Sequence, residues 1–186
     1  MSVSSVSSVP LPISSDSTVA DPMASDIITA GAMSLYFHRT DDEDWVWPKS
    51  YTKIGTYTSY KELWGSLAHI AAPKFIGGMF FLMVDPYPPV WEDKAHLHGG
   101  TYCINIKEVT AFETFQIYSA AMGEGLATKT PGNRIVGLSI SPKKGFHIMK
   151  IWNTDAKYKS VEDVRLLVPD MKASDIRYRV NTDQRF

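Results

Sequence analysis

Apolar residues recur along this chain in two periods, and each period predicts its own elements. Between Ser59 and Pro73 they fall at Tyr60, Leu63, Trp64, Leu67 and Ile70, the spacing of one helix face. Ser59, followed three positions later by Glu62, forms a capping box at the start, and Pro73 is the stop. The same box, Thr110 with Glu113, predicts a second helix running through Phe115, Tyr118 and Met122 to Gly123. Ser160 with Asp163 predicts a third, ending near Leu167 ahead of Pro169. Elsewhere the apolar residues alternate or form short runs between turn residues, which is the strand signal. Strands are expected around Leu35-Tyr36-Phe37 and over residues 51–57 (Gly55 marking a bulge), 78–84, 101–106, 135–141, 147–152 and 175–180. Pro142-Lys143-Lys144-Gly145 joins two of them as a hairpin with a basic tip.

About seven to eight strands with three separately capped helices predict an α+β fold. A single antiparallel sheet would pack its helices on one face and leave the other free for a ligand. Residues 1–25 are serine-rich, nearly uncharged and without sustained period, and read as a flexible tail before a folded domain over 26–186. With 186 residues, 44% apolar and 21% charged, the chain suits one ordinary globular domain. A net charge of −1 argues against a broad basic surface for nonspecific nucleic-acid binding, but not against a small pocket for one terminal nucleotide. Cys103 is the single cysteine, so no intrachain disulfide forms, and a cytoplasmic or nuclear setting fits. No segment approaches the apolar length of a membrane span, and the N-terminus lacks the regions of a signal peptide.

The chemistry concentrates in residues 88–106. Pro-rich residues deliver Trp91-Glu92-Asp93, and Gly99-Gly100 then opens the strand from Thr101. An indole beside a carboxylate on a loop suits a flat, cationic ligand with ring N–H donors at its edge. The indole face stacks and attracts the cation, and the carboxylate accepts from the donors. N7-methylguanine has all these properties. A surface tryptophan capping a turn is the alternative from this stretch alone.

Taken in order, Tyr57-Thr58-Ser59-Tyr60-Lys61-Glu62-Leu63-Trp64, Trp91-Glu92-Asp93, Gly99-Gly100, Gly123-Glu124 and Lys150-Ile151-Trp152-Asn153-Thr154 resemble the eukaryotic translation initiation factor 4E family of messenger-RNA cap-binding proteins. The resemblance runs from about Leu35 to Val180. It implies a curved antiparallel sheet backed by three helices on its convex face, with the ligand on the concave face. It further implies that Trp47 and Trp91 sandwich the methylated base, Glu92 accepts from guanine N1 and N2, and Trp152 sits against the N7 methyl. No cofactor is implied. Two departures stand out: Thr101 and Lys143 occupy positions where the family carries phosphate-binding arginines. Lysine keeps the charge without the bidentate fork, and threonine keeps neither. The expected triphosphate contacts are therefore Lys143, Lys144, Lys150, Ser141 and Arg185. The chain ends six residues after Val180, so no long C-terminal loop over the cap is expected.

On the opposite surface the resemblance assigns Tyr60, Trp64, Phe115, Gln116 and Ser119 to a patch for a partner helix carrying Tyr-x-x-x-x-Leu and a further apolar residue. The implied partners are capped messenger RNA and a scaffold of the initiation factor 4G type, and the implied role is in translation initiation. A cap-binding repressor or RNA-handling adaptor is the alternative. The helix stripe alone also allows Trp64 to be core. An enzyme is the rival class, but no nucleophile elbow, phosphate loop or cluster of metal-binding glutamates appears. His96, His98 and Cys103 match no standard zinc spacing, and the two histidines read as solvated loop residues.

Overall fold

A computed structural model describes residues 26–70, 75 and 77–183; the serine-rich stretch 1–25, Pro73 and Arg185 lie outside the described residues. The strands are β1 (Met33–Arg39), β2 (Thr52–Tyr57), β3 (Gly78–Val84), β4 (Gly100–Lys107), β5 (Ile135–Lys143), β6 (Phe146–Asn153) and β7 (Ile176–Val180). They form one seven-stranded sheet in the order β2-β1-β3-β5-β6-β4-β7, every neighbouring pair antiparallel. Among the described residues the helices with both ends defined are α1 (Tyr60–Ala68) and α2 (Ala111–Gly123).

Strand alternation explains which side the helices take. Met33 and Leu35 of β1, Leu82 of β3, Ile104 of β4, Leu138 of β5 and Ile151 of β6 face one way, where they meet Leu63 and Leu67 of α1 and Phe115, Tyr118 and Met122 of α2. Each fully buried side chain of this size contributes about 1.5–3 kcal/mol. The predicted bulge in β2 is present: pairing with β1 steps from Leu35–Gly55 to Tyr36–Lys53, leaving Ile54 as the extra residue. The β5–β6 hairpin closes through Lys144 and Gly145, and Gly145 takes φ +83°, a conformation that glycine adopts without steric cost.

Ser59 caps α1 as expected, its hydroxyl accepting from Glu62 N at 3.3 Å. Asp26 adds what the sequence pattern did not show: its carbonyl accepts from Tyr60 N at 2.8 Å and its carboxylate from Lys61 N at 2.7 Å. Thr110 does not cap α2. A 3-10 turn over Glu108–Thr110 leads straight into the helix, and the Thr110 hydroxyl instead donates back to Lys107 O at 3.3 Å.

The expected third helix at 160–167 is a single 3-10 turn, Val161–Asp163. Val164 is extended and bridges to Thr128, and Arg165 N donates to Ala127 O at 3.0 Å, so this backbone pairs sideways rather than coiling. Asp163 anchors the turn. Its carboxylate accepts from Thr130 N at 2.6 Å, Lys129 N at 3.2 Å and Asn133 Nδ2 at 2.6 Å. Burial works to raise the Asp163 pKa, but the hydrogen bonds from Thr130 and Asn133 and the backbone amides outweigh it and hold the carboxyl below its ordinary value. The network continues inward, Asn153 Nδ2 donating to Asn133 Oδ1 at 3.1 Å while Asn153 Oδ1 accepts from Gly100 N at 3.0 Å and Tyr178 OH at 2.8 Å.

This network positions the start of β4. A Cβ on Gly99 would run into the Asn153 carbonyl, and one on Gly100 into the Arg179 carbonyl. The glycine pair is therefore required by backbone approach from β6 and β7.

Candidate functional site

The sheet face away from the helices is not bare. Tyr36, Tyr51, Phe81, Met83, Val136 and Trp152 form a second buried cluster there, with Met79, Tyr87, Val90 and Trp91 packed against it. Two loops deliver the aromatic residues that cover it, residues 40–51 and residues 85–99.

In the first loop Trp47 is 36% exposed and rests by ring edges on Tyr36, at 5.3 Å, and on Tyr51, at 5.5 Å. Its neighbour Trp45 is differently committed. It stacks on His38 at 3.8 Å with only 4° between the planes, and the His38 ring nitrogens lie 2.7 Å from Arg39 O and 2.9 Å from Asp44 O. His38 thus ties this loop to β1.

In the second loop Trp91 is half-buried against the cluster and Glu92 is exposed. Burial and, after it, the Glu92 charge push the Tyr51 phenol up to about 12, which places Glu92 within electrostatic reach of the loop that carries Trp47. His96 holds this second loop. Contrary to the expectation of a solvated histidine, it is fully buried, with Nε2 2.8 Å from Pro88 O and its ring 5.4 Å from Trp152. Burial lowers its pKa despite the Pro88 hydrogen bond, so the neutral ring donates Nε2–H to that carbonyl. Asn181 Nδ2 donates to His96 O at 2.7 Å and fastens the loop to the chain beyond β7. His98 is exposed, and among the described residues no group of three His, Cys, Asp or Glu side chains could hold a metal ion.

Trp152 is the floor. It is 4% exposed, and its indole N–H donates to Ser139 Oγ at 3.0 Å across the β5–β6 pair. Trp47, Trp91, Glu92 and Trp152, which lie as much as 105 positions apart in sequence, are thereby gathered about one aromatic cluster. Flat indole faces with a carboxylate at the rim can stack a cationic ring and accept from its edge.

The basic residues divide. Lys143 and Lys144 are exposed at the hairpin tip, Ser141 is buried on β5, and Lys150 is half-buried on β6 in register with Ser139. Arg185 lies outside the described residues. Two cations that the sequence reading did not single out, Arg177 and Arg179, project from β7 on the same face; their signal was the alternation Ile176-Arg177-Tyr178-Arg179.

On the helix side, Tyr60 and Trp64 stack at 5.9 Å, both half-buried. Tyr60 OH donates to Glu124 Oε1 at 2.7 Å, linking α1 to the end of α2, and burial with the Glu124 charge pushes the phenol up. Gln116 is half-exposed on α2. Phe115 and Ser119 do not join the surface. The face of α2 that carries Phe115, Tyr118 and Met122 turns to the sheet, and Ser119, one turn beyond Phe115, donates to Phe115 O at 2.7 Å in the interior.

Comparison with known proteins identifies the family. The family model described as eukaryotic initiation factor 4E matches residues 32–185. Among solved structures, the chain is similar to C. elegans eIF4E-3 in complex with the 4E-binding protein Mextli and a cap analog, at 18% identity and TM-score 0.69, covering 85% of this chain and 94% of that one. It is similar to Ascaris suum eIF4E-3 in complex with m7G cap, at 16% identity and TM-score 0.63, covering 83% and 91%. A schistosome eIF4E complexed with m7GpppA and 4E-BP matches at 19% identity and TM-score 0.60, covering 72% and 74%. At these identities the likeness is one of fold.

Proposed function

The chain belongs to the eukaryotic initiation factor 4E family, and from that premise we propose that it binds the N7-methylguanosine cap of messenger RNA on the sheet face opposite the helices. The observation that carries this reading is the convergence of Trp47, Trp91 and Trp152, with Glu92 at the rim, on one aromatic cluster. The solved relatives bound to m7G cap and cap analogs support it. Trp47 and Trp91 stack on the base, Glu92 accepts from its N1 and N2 hydrogens, and Trp152 lies below near the methyl group. Methylation at N7 spreads a positive charge over the ring, so indole faces and a carboxylate together favour the methylated base. The chain is a binding protein in this reading, not an enzyme.

Titration with N7-methyl-GTP should quench tryptophan fluorescence, and GTP should quench it far more weakly. Equal affinity for the two nucleotides would sink the assignment.

The proposed role in translation initiation rests on the other surface. Tyr60 and Trp64 present stacked, half-buried rings suited to a partner helix, and the complexes of solved relatives with 4E-binding proteins support a protein partner. With Phe115 and Ser119 interior, that helix rests on Tyr60, Trp64 and Gln116. Trp64→Ala should weaken binding of a Tyr-x-x-x-x-Leu peptide by about 2 kcal/mol or more, as truncation of a central aromatic anchor does, while cap affinity stays unchanged. Peptide titration checks this, and unchanged peptide affinity would make Trp64 a core residue.

A further inference from the structure

The register of four strands lines up two rows on the ligand face. Arg179, Thr101, Trp152 and Gly137 stand side by side across β7, β4, β6 and β5, and Arg177, Cys103, Lys150 and Ser139 form the next row. Ile176 and Tyr178 turn to the helix side, so the two arginines between and beyond them face the ligand side. Cross-strand partners stand about 4.5–5.5 Å apart at Cα. A guanidinium is therefore available one strand away from Thr101, the position left without charge.

The cations meet. Burial is the main influence lowering the Lys150 pKa; Cys103 opposes it, and the charges of Arg179 and Lys143 lower it further, so both lie within electrostatic reach of the Lys150 amine. Among the described residues none of Lys143, Lys150, Arg177 and Arg179 belongs to an ion pair; the ion pairs there involve Arg39, Lys49 and Lys157. Three exposed cations around the half-buried Lys150 make a positive patch that favours an anion between them.

We propose that Arg177 and Arg179 of β7, with Lys150 and Lys143, form the seat of the cap triphosphate, supplying from the sheet edge the charge that Thr101 lacks. The proposal rests on the cap reading for the identity of the anion, and on strand register for its position. Arginine forks engage phosphate oxygens in pairs, which the hairpin lysines cannot do. Thr101 is itself buried, so the phosphates pass over the half-buried Lys150 and Cys103 toward the exposed arginines of β7, the outermost strand of the sheet.

The test titrates the full chain calorimetrically with sodium tripolyphosphate, N7-methyl-GTP and N7-methylguanosine. Arg177→Ala/Arg179→Ala is compared with Lys61→Ala/Lys159→Ala, which removes the same charge at exposed positions elsewhere. The arginine variant should weaken both phosphate ligands about tenfold or more and leave the nucleoside within about twofold, with an unchanged melting temperature because both arginines are exposed. The lysine variant should leave all three titrations alone. Phosphate ligands that bind the arginine variant as tightly as the unaltered protein would overturn the proposal. Failure of the nucleoside to bind the unaltered protein, with arginine-dependent tripolyphosphate binding retained, would overturn the cap reading and leave the cationic seat supported.

Discussion

Trp91→Ala is expected to weaken N7-methyl-GTP binding by about 1–3 kcal/mol, roughly five- to 150-fold, without unfolding the protein. The loss is that of one stacking face for the methylated base. The fold should survive because the loop is held by groups other than the indole. Ala95 N donates to Asp93 Oδ1 at 2.8 Å, His96 binds Pro88 O at 2.8 Å, and Asn181 clamps His96 O at 2.7 Å. Glu92→Gln completes the experiment. The amide keeps the size but presents an N–H where the carboxylate accepted, so preference for the methylated, cationic ring should fall along with affinity. Fluorescence titration reads both losses, and circular dichroism reads the fold. If Trp91→Ala instead melts like a core truncation while residual affinity is unchanged, Trp91 serves the second aromatic cluster and not the ligand.

Asp163→Ala is expected to cost about 1–3 kcal/mol of stability, because it removes the acceptor of Thr130 N and one of the two acceptors of the buried Asn133 amide. Thr130 N loses its acceptor and Asn133 Nδ2 keeps only Tyr102 OH, while Lys129 N retains the Asp163 backbone carbonyl at 2.8 Å; Asn133 is the link to Asn153 and so to the start of β4. Chemical denaturation measures the cost; a change within a few tenths of a kcal/mol would mean water replaces the carboxylate. The same residue gives an acid limb. Its folded pKa is depressed, so its contribution is fully present above the unfolded value of about 3.8 and is lost as pH falls through the lower folded value. Asp163→Asn should remove that part of the acid destabilisation, and melting temperatures below about pH 4 will show it.

Much of the fold was legible because its signals are local. The stripe of Leu63 and Leu67 with Ser59 ahead of it, and the runs that became β3, β5 and β6, depend only on residues a few positions apart. Where local signals misled, a distant segment had taken the backbone. Ser160 and Asp163 spell a capping box, yet Asp163 serves the 129–133 turn and Val164 pairs with Thr128, so no helix forms. His96 looked like a polar loop residue and is a buried strut, because Asn181 and Trp152 close over it from elsewhere in the chain.

The sequence by itself determined the family, the antiparallel α+β architecture and the face that receives the helices, since alternation and helical period are written into neighbouring residues. It also supplied the indoles and the carboxylate. Only the tertiary structure decided which residues of α2 reach the surface, that Trp152 is a buried floor bonded to Ser139, and that Arg179 stands beside Thr101. Those facts turn on register and on packing between segments far apart in the chain. A one-residue slip of β7 against β4 would carry both arginines to the helix side and leave every local pattern as it is.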